Sequence, residues 1–175
     1  YPGGTGHGTP SSPLIIGPDT TKGGAQLTAD FLALLPATGT SIGVQTWHQY
    51  YVAGPHSPVT AGRFTDPAFL DAYKKQAAAQ VEAHRGYNKR RVDHGSGPVQ
   101  LWMGETGGAG GATAGATEVN GHFRDAFWYA DKLGIAAQLG HDVVCRQSLA
   151  DLITTQGAIP TAHFGPQPIV YPAYW

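Results

Sequence analysis

Glu105 stands where an apolar run meets glycine, in Val99-Gln100-Leu101-Trp102-Met103-Gly104-Glu105-Thr106-Gly107-Gly108. A run opened by Pro98 and closed by glycines has the pattern of a buried strand that delivers one carboxylate at its C-terminal end. A parallel α/β enzyme keeps its chemistry at such a tip. Of the three glutamates, Glu82, Glu105 and Glu118, only Glu105 falls at a strand end. Local sequence alone leaves an exposed loop carboxylate as the alternative. The other nucleophile candidate is weak: Cys145, the single cysteine, lies inside Val143-Val144-Cys145, where a buried, inert thiol is expected. It also cannot close an internal disulfide. The glycines from Gly104 to Gly111 could be read as a phosphate cradle. No Lys-Ser/Thr pair follows them, however, and no GxGxxG pattern opens a helix.

The elements that must position Glu105 alternate. Leu14-Ile15-Ile16-Gly17 reads as a first strand, followed by a helix over Ala25 to Leu35 with Leu27, Phe31, Leu34 and Leu35 on one face. Gly43 to His48 is the second strand. Its helix starts with Asp66 as N-cap and Pro67 at the first helical position, and Phe69, Leu70, Tyr73, Ala77 and Val81 then recur at helical spacing. The third strand runs into Glu105. Its helix spans Glu118 to Leu133, with Phe123, Phe127, Ala130 and Leu133 on one side and Gly134 as a stop. Asp142 to Arg146 is the fourth strand. Four βα units in succession predict an α/β fold with a parallel sheet.

Such a sheet is either a small open one or half of an eight-stranded barrel. The turn-rich opening and the aromatic close, Pro172-Ala173-Tyr174-Trp175, favour the half-barrel. This would expose two strand edges and needs the other half to complete it. Residues 1–13 read as a linker or loop and residues 14–175 as the barrel half. In a βα barrel the loops after strands form the active face. Lys22, His48, Tyr50, His56, Arg63, Glu105, the loop Gly107 to Gly115, Arg146 and Gln147 therefore converge. The basic stretch Arg85 to Arg91 follows a helix and is expected on the opposite side as a solvated insertion.

Composition bounds the rest. With 175 residues, 41% of them hydrophobic, the chain can bury one core. Only 13% are charged and the net charge is −1, so a nucleic-acid partner gains no support. No apolar stretch approaches the roughly 20 residues that span a bilayer.

Five segments, in order, carry a family resemblance: Leu14-Ile15-Ile16-Gly17-Pro18-Asp19, Thr46-Trp47-His48-Gln49-Tyr50-Tyr51, Trp102-Met103-Gly104-Glu105-Thr106-Gly107-Gly108-Ala109, Phe127-Trp128-Tyr129-Ala130-Asp131-Lys132-Leu133-Gly134 and Val144-Cys145-Arg146-Gln147. Together they resemble the second half of the catalytic barrel of heparanase and related β-glucuronidases, strands 5–8 of a (β/α)8 TIM barrel. The resemblance implies a retaining glycosidase acting on a glucuronic-acid-containing glycan. Glu105 takes the nucleophile position, with His48 and Tyr50 orienting it. Asp19, Lys22, Gln49, Gly110, Gly111 and Gln147 take the substrate-binding positions. No cofactor or metal is implied. The substrate class places the protein outside the cell, at the cell wall or in a lysosome-like compartment.

The implied chemistry is coherent, because a carboxylate on one face of a cation-like sugar can trap it as a covalent ester. A nearby tyrosine hydroxyl can steady that carboxylate. The family's second carboxyl, which follows an asparagine, has no match: Asn88 and Asn120 are the only asparagines and neither precedes a glutamate. It must come from outside this chain, through the missing barrel half on the same polypeptide or another. The competing reading is a catalytically inactive, hydrolase-derived protein that binds glycans or builds an assembly.

Overall fold

The computed structural model of the chain describes residues 14–21, 23–36, 42–52, 61–110 and 125–147. Within them four parallel strands lie side by side in chain order: β1 (Ile16–Thr21), β2 (Val44–Val52), β3 (Gln100–Ala109) and β4 (Val143–Arg146). Helix α1 (Ala25–Leu34) follows β1. A 3₁₀ turn (Ala61–Thr65), α2 (Pro67–Leu70) and α3 (Ala72–Asp93) follow β2, and α4 (Asp125–Leu139) precedes β4. Crossovers between parallel strands are right-handed, so three steps in one direction place the helices on one face of the sheet. The α/β class with a parallel sheet is as expected. No helix among the described residues is long and apolar enough to cross a membrane.

Alternation along β2 shows which face is covered. Gln45, Trp47, Gln49 and Tyr51 turn toward the helices and are buried. Trp47 stacks on Tyr73 with ring centroids 6.2 Å apart and donates its indole N–H to His141 Nε2 at 3.0 Å. Tyr51 sits among Phe64, Phe69 and Trp128, and Leu101 and Met103 of β3 close the same core. Burying each of these large side chains stabilises the fold by roughly 1.5–3 kcal/mol. A second cluster, Leu32, Ile42, Tyr87 and Val99, joins α1 to α3.

Several local expectations hold and others do not. Asp66 caps α2 by accepting the Ala68 N–H at 2.9 Å, with Pro67 behind it, and Leu70, Tyr73, Ala77 and Val81 are buried. The faces of α1 and α4 are rotated from those the apolar spacing predicts. In α1, Thr28 and Leu32 are buried while Leu27 and Leu34 are exposed, because the Thr28 hydroxyl pairs with the Thr20 hydroxyl at 2.6 Å. In α4, Trp128, Lys132, Ile135 and Ala136 are buried while Phe127 and Leu133 are exposed.

The stretch Arg85 to Arg91 is part of α3 and not a separate insertion. Its cations satisfy backbone and helix groups. Arg90 donates to the Leu32 carbonyl at 3.2 Å, Arg91 to the Gly97 carbonyl at 2.7 Å, and Lys89 pairs with Asp93.

Gly134 does not stop α4, which continues to Leu139 and ends against Gly140 at φ 89°. A Cβ at Gly134 would meet nothing within 4 Å. Gly134→Ala should therefore stabilise the protein by about 0.5–1 kcal/mol, since alanine loses less backbone entropy in a helix interior. A rise in the urea midpoint with an unchanged slope checks this.

Burial lowers His141 to a pKa of about 4. Its Nε2 accepts from Trp47 and its Nδ1 lies 3.2 Å from the Ala136 carbonyl, so the neutral ring is the form that fits. The folded value lies below the roughly 6.5 of an unfolded histidine. The unfolded chain therefore binds more protons between the two values, and stability is kept above about pH 6.5 and lost as pH falls toward 4. At pH 5 the loss amounts to about 2 kcal/mol. Urea midpoints at pH 7 and pH 5 should show this drop, and it should shrink in His141→Gln.

Candidate active site

Strict alternation would turn Glu105 to the helix side with Leu101 and Met103. The ladder shows why it does not. Trp47 pairs with Met103, but the next residue of β2, His48, pairs with Glu105, so Gly104 is an extra residue in β3. This is a β-bulge, and a bulge re-aims every side chain that follows it. A similar irregularity in β1 leaves Asp19 unpaired between Pro18, opposite Thr46, and Thr20, opposite Trp47. Asp19 adopts φ 60°, a left-handed conformation that aspartate tolerates better than most residues. The two irregularities lie at one level of the sheet and turn their carboxylates to the same uncovered face.

On that face four side chains form a row. The Tyr50 hydroxyl donates to Glu105 Oε1 at 2.6 Å. His48 lies on the other carboxylate oxygen, its Nδ1 3.8 Å from Glu105 Oε2, and its Nε2 is 2.7 Å from Asp19 Oδ2. Glu105 and His48 are partly exposed and Asp19 is about half exposed, so the row is open to a ligand. A carboxylate held by a phenol on one oxygen and an imidazole near the other is oriented for attack on an electrophile above the sheet.

Glycine makes room for this row. A Cβ at Gly107 would lie 2.5 Å from Tyr50 Cε1, and one at Gly104 would lie 2.5 Å from Asp19 Oδ1. The strand runs on through Gly107 and Gly108 to Ala109, where the sequence suggests the start of a loop over Gly107 to Gly115; residues 111–115 lie outside the described residues.

The remaining sequence candidates divide. Asp19 is placed at the site, but as the partner of His48. Gln49 is not on the open face. It is buried on the helix side, where Gln76 and Lys132 take its side chain, because it alternates with His48 and Tyr50. The Gly110 amide donates to the Val52 carbonyl at 3.0 Å and so extends the sheet ladder instead of facing a ligand. Gln147 lies at the tip of β4, its amide on the Thr106 carbonyl at 2.9 Å and its side chain exposed. Arg63 lies over the Phe69 ring and Arg146 over Trp128. Lys22, His56 and Gly111 lie outside the described residues. Among the described residues no group of three or more His, Cys, Asp or Glu is arranged to hold a metal.

Sequence reading passed over Lys132, which is fully buried beneath the site. Its ammonium donates to Gln49 Oε1 and to Thr106 Oγ1, the latter at 2.7 Å. The only signal in the sequence was a lysine at a helix position that the neighbouring Trp128, Ile135 and Ala136 mark as core.

Residues 7–134 match the family described as glycosyl hydrolase family 79, N-terminal domain. Heparanase-like protein 1 of Arabidopsis thaliana is 30% identical over 162 residues, covering 92% of this chain and 27% of that protein. Heparanase of Gallus gallus is 34% identical over 115 residues, covering 66% of this chain and 20% of its own length. The chain thus spans about a quarter of the length of these relatives. Among solved structures, a 4-O-α-L-rhamnosyl-β-D-glucuronidase from Fusarium oxysporum superposes with a TM-score of 0.53 at 15% identity, over 68% of this chain and 23% of that one. At that identity the likeness is one of fold. The family match shows that this chain is a heparanase-like member of glycosyl hydrolase family 79.

Proposed function

We propose that the chain forms the C-terminal half, strands 5–8, of a (β/α)8 barrel in a retaining glycoside hydrolase that cleaves β-linked glucuronic acid in glycans. The observation that carries this reading is the Tyr50–Glu105–His48 contact set on the uncovered face of the sheet. The winding supports the barrel: a doubly wound open sheet reverses its strand order and takes helices on both faces, whereas this one runs β1-β2-β3-β4. Its free face and two edges are where the other half, on the same polypeptide or another chain, would close the fold.

In this mechanism Glu105 attacks the anomeric carbon from the face opposite the leaving oxygen and forms a glycosyl ester. A second carboxyl, about 5–5.5 Å away, protonates the leaving oxygen and then takes a proton from the water that cleaves the ester. Asp19 is the nearest other carboxylate in the row, but His48 holds it. The acid/base is assigned outside this chain because no glutamate in the sequence follows an asparagine. Tyr50 and His48 keep Glu105 pointing at the sugar, and Gln147, Gly111 and Lys22 meet the uronic acid and its neighbours. A polymeric glycan substrate places the enzyme outside the cell, at the wall, or in a lysosome-like compartment.

The stereochemical outcome tests the reading. Proton NMR of the complete enzyme acting on a β-glucuronide should show β-glucuronic acid as the first-formed hemiacetal, followed by mutarotation. First appearance of the α-anomer would show inversion and remove Glu105 from the nucleophile role.

A further inference from the structure

We infer that Lys132 is a positioning residue for Glu105, holding through Thr106 and Gln49 the strand register that points the carboxylate at the open face. The inference rests on the reading of Glu105 as nucleophile. Fully buried lysines are rare unless they are paired, and taking an ammonium out of water is costly. The contacts of this one are specific. Its Nζ donates to Gln49 Oε1, to Thr106 Oγ1 at 2.7 Å and to the Gln49 carbonyl at 3.4 Å. The rings of Tyr51, Trp128 and Tyr73 lie around it at 4.4, 4.9 and 5.1 Å, and their faces favour a cation.

The acceptors identify what the cation does. Gln49 separates His48 from Tyr50, the two residues that touch Glu105, and Thr106 follows Glu105 directly. The Thr106 hydroxyl donates to the Gln49 carbonyl at 2.6 Å while it accepts from Lys132. Lys132 therefore ties the β2 segment that carries His48 and Tyr50 to the β3 residue that follows the nucleophile, at the second paired position beyond the Gly104 bulge. Ladder pairing is interrupted at that bulge, and a one-residue slip would turn Glu105 to the helix side. The polar knot supplies from below the fixity that the interrupted ladder lacks.

The test uses the complete enzyme and a cyclophellitol-type β-glucuronidase probe, with the inactivation rate constant and the probe's dissociation constant measured separately. Lys132→Met keeps length and apolar fit, and Thr106→Val keeps shape. Each should lower the rate constant by about tenfold or more, as expected for a misplaced reacting group, with the dissociation constant within about twofold. Thr106→Ser, which retains the hydroxyl, should restore most of the rate lost in Thr106→Val. Adding Lys132→Met to Thr106→Val should cost little more, because both cut the same chain of contacts.

If Lys132→Met does not fold, the Thr106 pair decides. A folded Thr106→Val labelled at the wild-type rate overturns the inference, as does an equal loss in Thr106→Ser. Failure of the underlying reading looks different: the wild-type enzyme would then carry no label on Glu105.

Discussion

Glu105→Gly in the complete enzyme should hydrolyse β-glucuronides at least about 10⁴-fold more slowly than wild type, and azide should restore turnover of an activated aryl β-glucuronide as the α-glucuronosyl azide. The expectation follows from the row on the open face. Glu105 is held on one oxygen by Tyr50 at 2.6 Å and approached on the other by His48 at 3.8 Å, so its removal vacates the face from which the sugar is attacked. A small anion entering there forms a bond on the α side, and an activated phenolate leaves without acid assistance. The β-azide would instead mean that Glu105 had served as acid/base.

Gly107→Ala should lower kcat by about 10- to 100-fold, the range expected when a charge-assisted hydrogen bond is lost. The added methyl would lie 2.5 Å from Tyr50 Cε1 and 3.0 Å from Cδ1. These ring carbons cannot yield without carrying the hydroxyl away from Glu105. Tyr50→Phe removes the same bond without the collision, so the two variants should lose similar amounts. Gly134→Ala, in open space on α4, should keep wild-type kcat. Initial rates on one β-glucuronide compare the set. Wild-type kcat in a folded Gly107→Ala would separate Tyr50 from catalysis.

Much of this was legible in the residues. The alternation of βα units, the start of the β2 crossover at Asp66-Pro67 and the convergence of His48, Tyr50 and Glu105 follow from periodicity and from the rule that loops after strands share a face. What stayed hidden depends on register. Read by parity, Glu105 shares a face with Met103. Only the bulge at Gly104 separates them, and a single glycine in a strand can mark a bulge, a close contact or nothing. The glycines after Glu105 have the pattern of a loop, while Gly107 and Gly108 continue β3 and Gly107 leaves room for the Tyr50 ring. Gln49 looked accessible beside two site residues, but alternation sends it to Lys132.

Buried polar groups explain the misread helices. Thr28 in α1 and Lys132 in α4 occupy core positions because each has a partner on a strand, and no apolar periodicity encodes that. Asp19 departs from the substrate role that the resemblance implies for a related reason. Its motif placed it at the site, but its role as partner of His48 depends on the left-handed backbone at that position.

Covalent capture on the enzyme itself decides whether Glu105 is the nucleophile. The complete enzyme is to be inactivated with a cyclophellitol-type β-glucuronidase probe, digested, and mapped by tandem mass spectrometry. One modified residue is expected, Glu105, as an ester on its carboxylate, with labelling absent from Glu105→Gln. An enzyme inactivated with the label on another carboxylate, or a Glu105→Gln variant labelled at the wild-type rate, would contradict it.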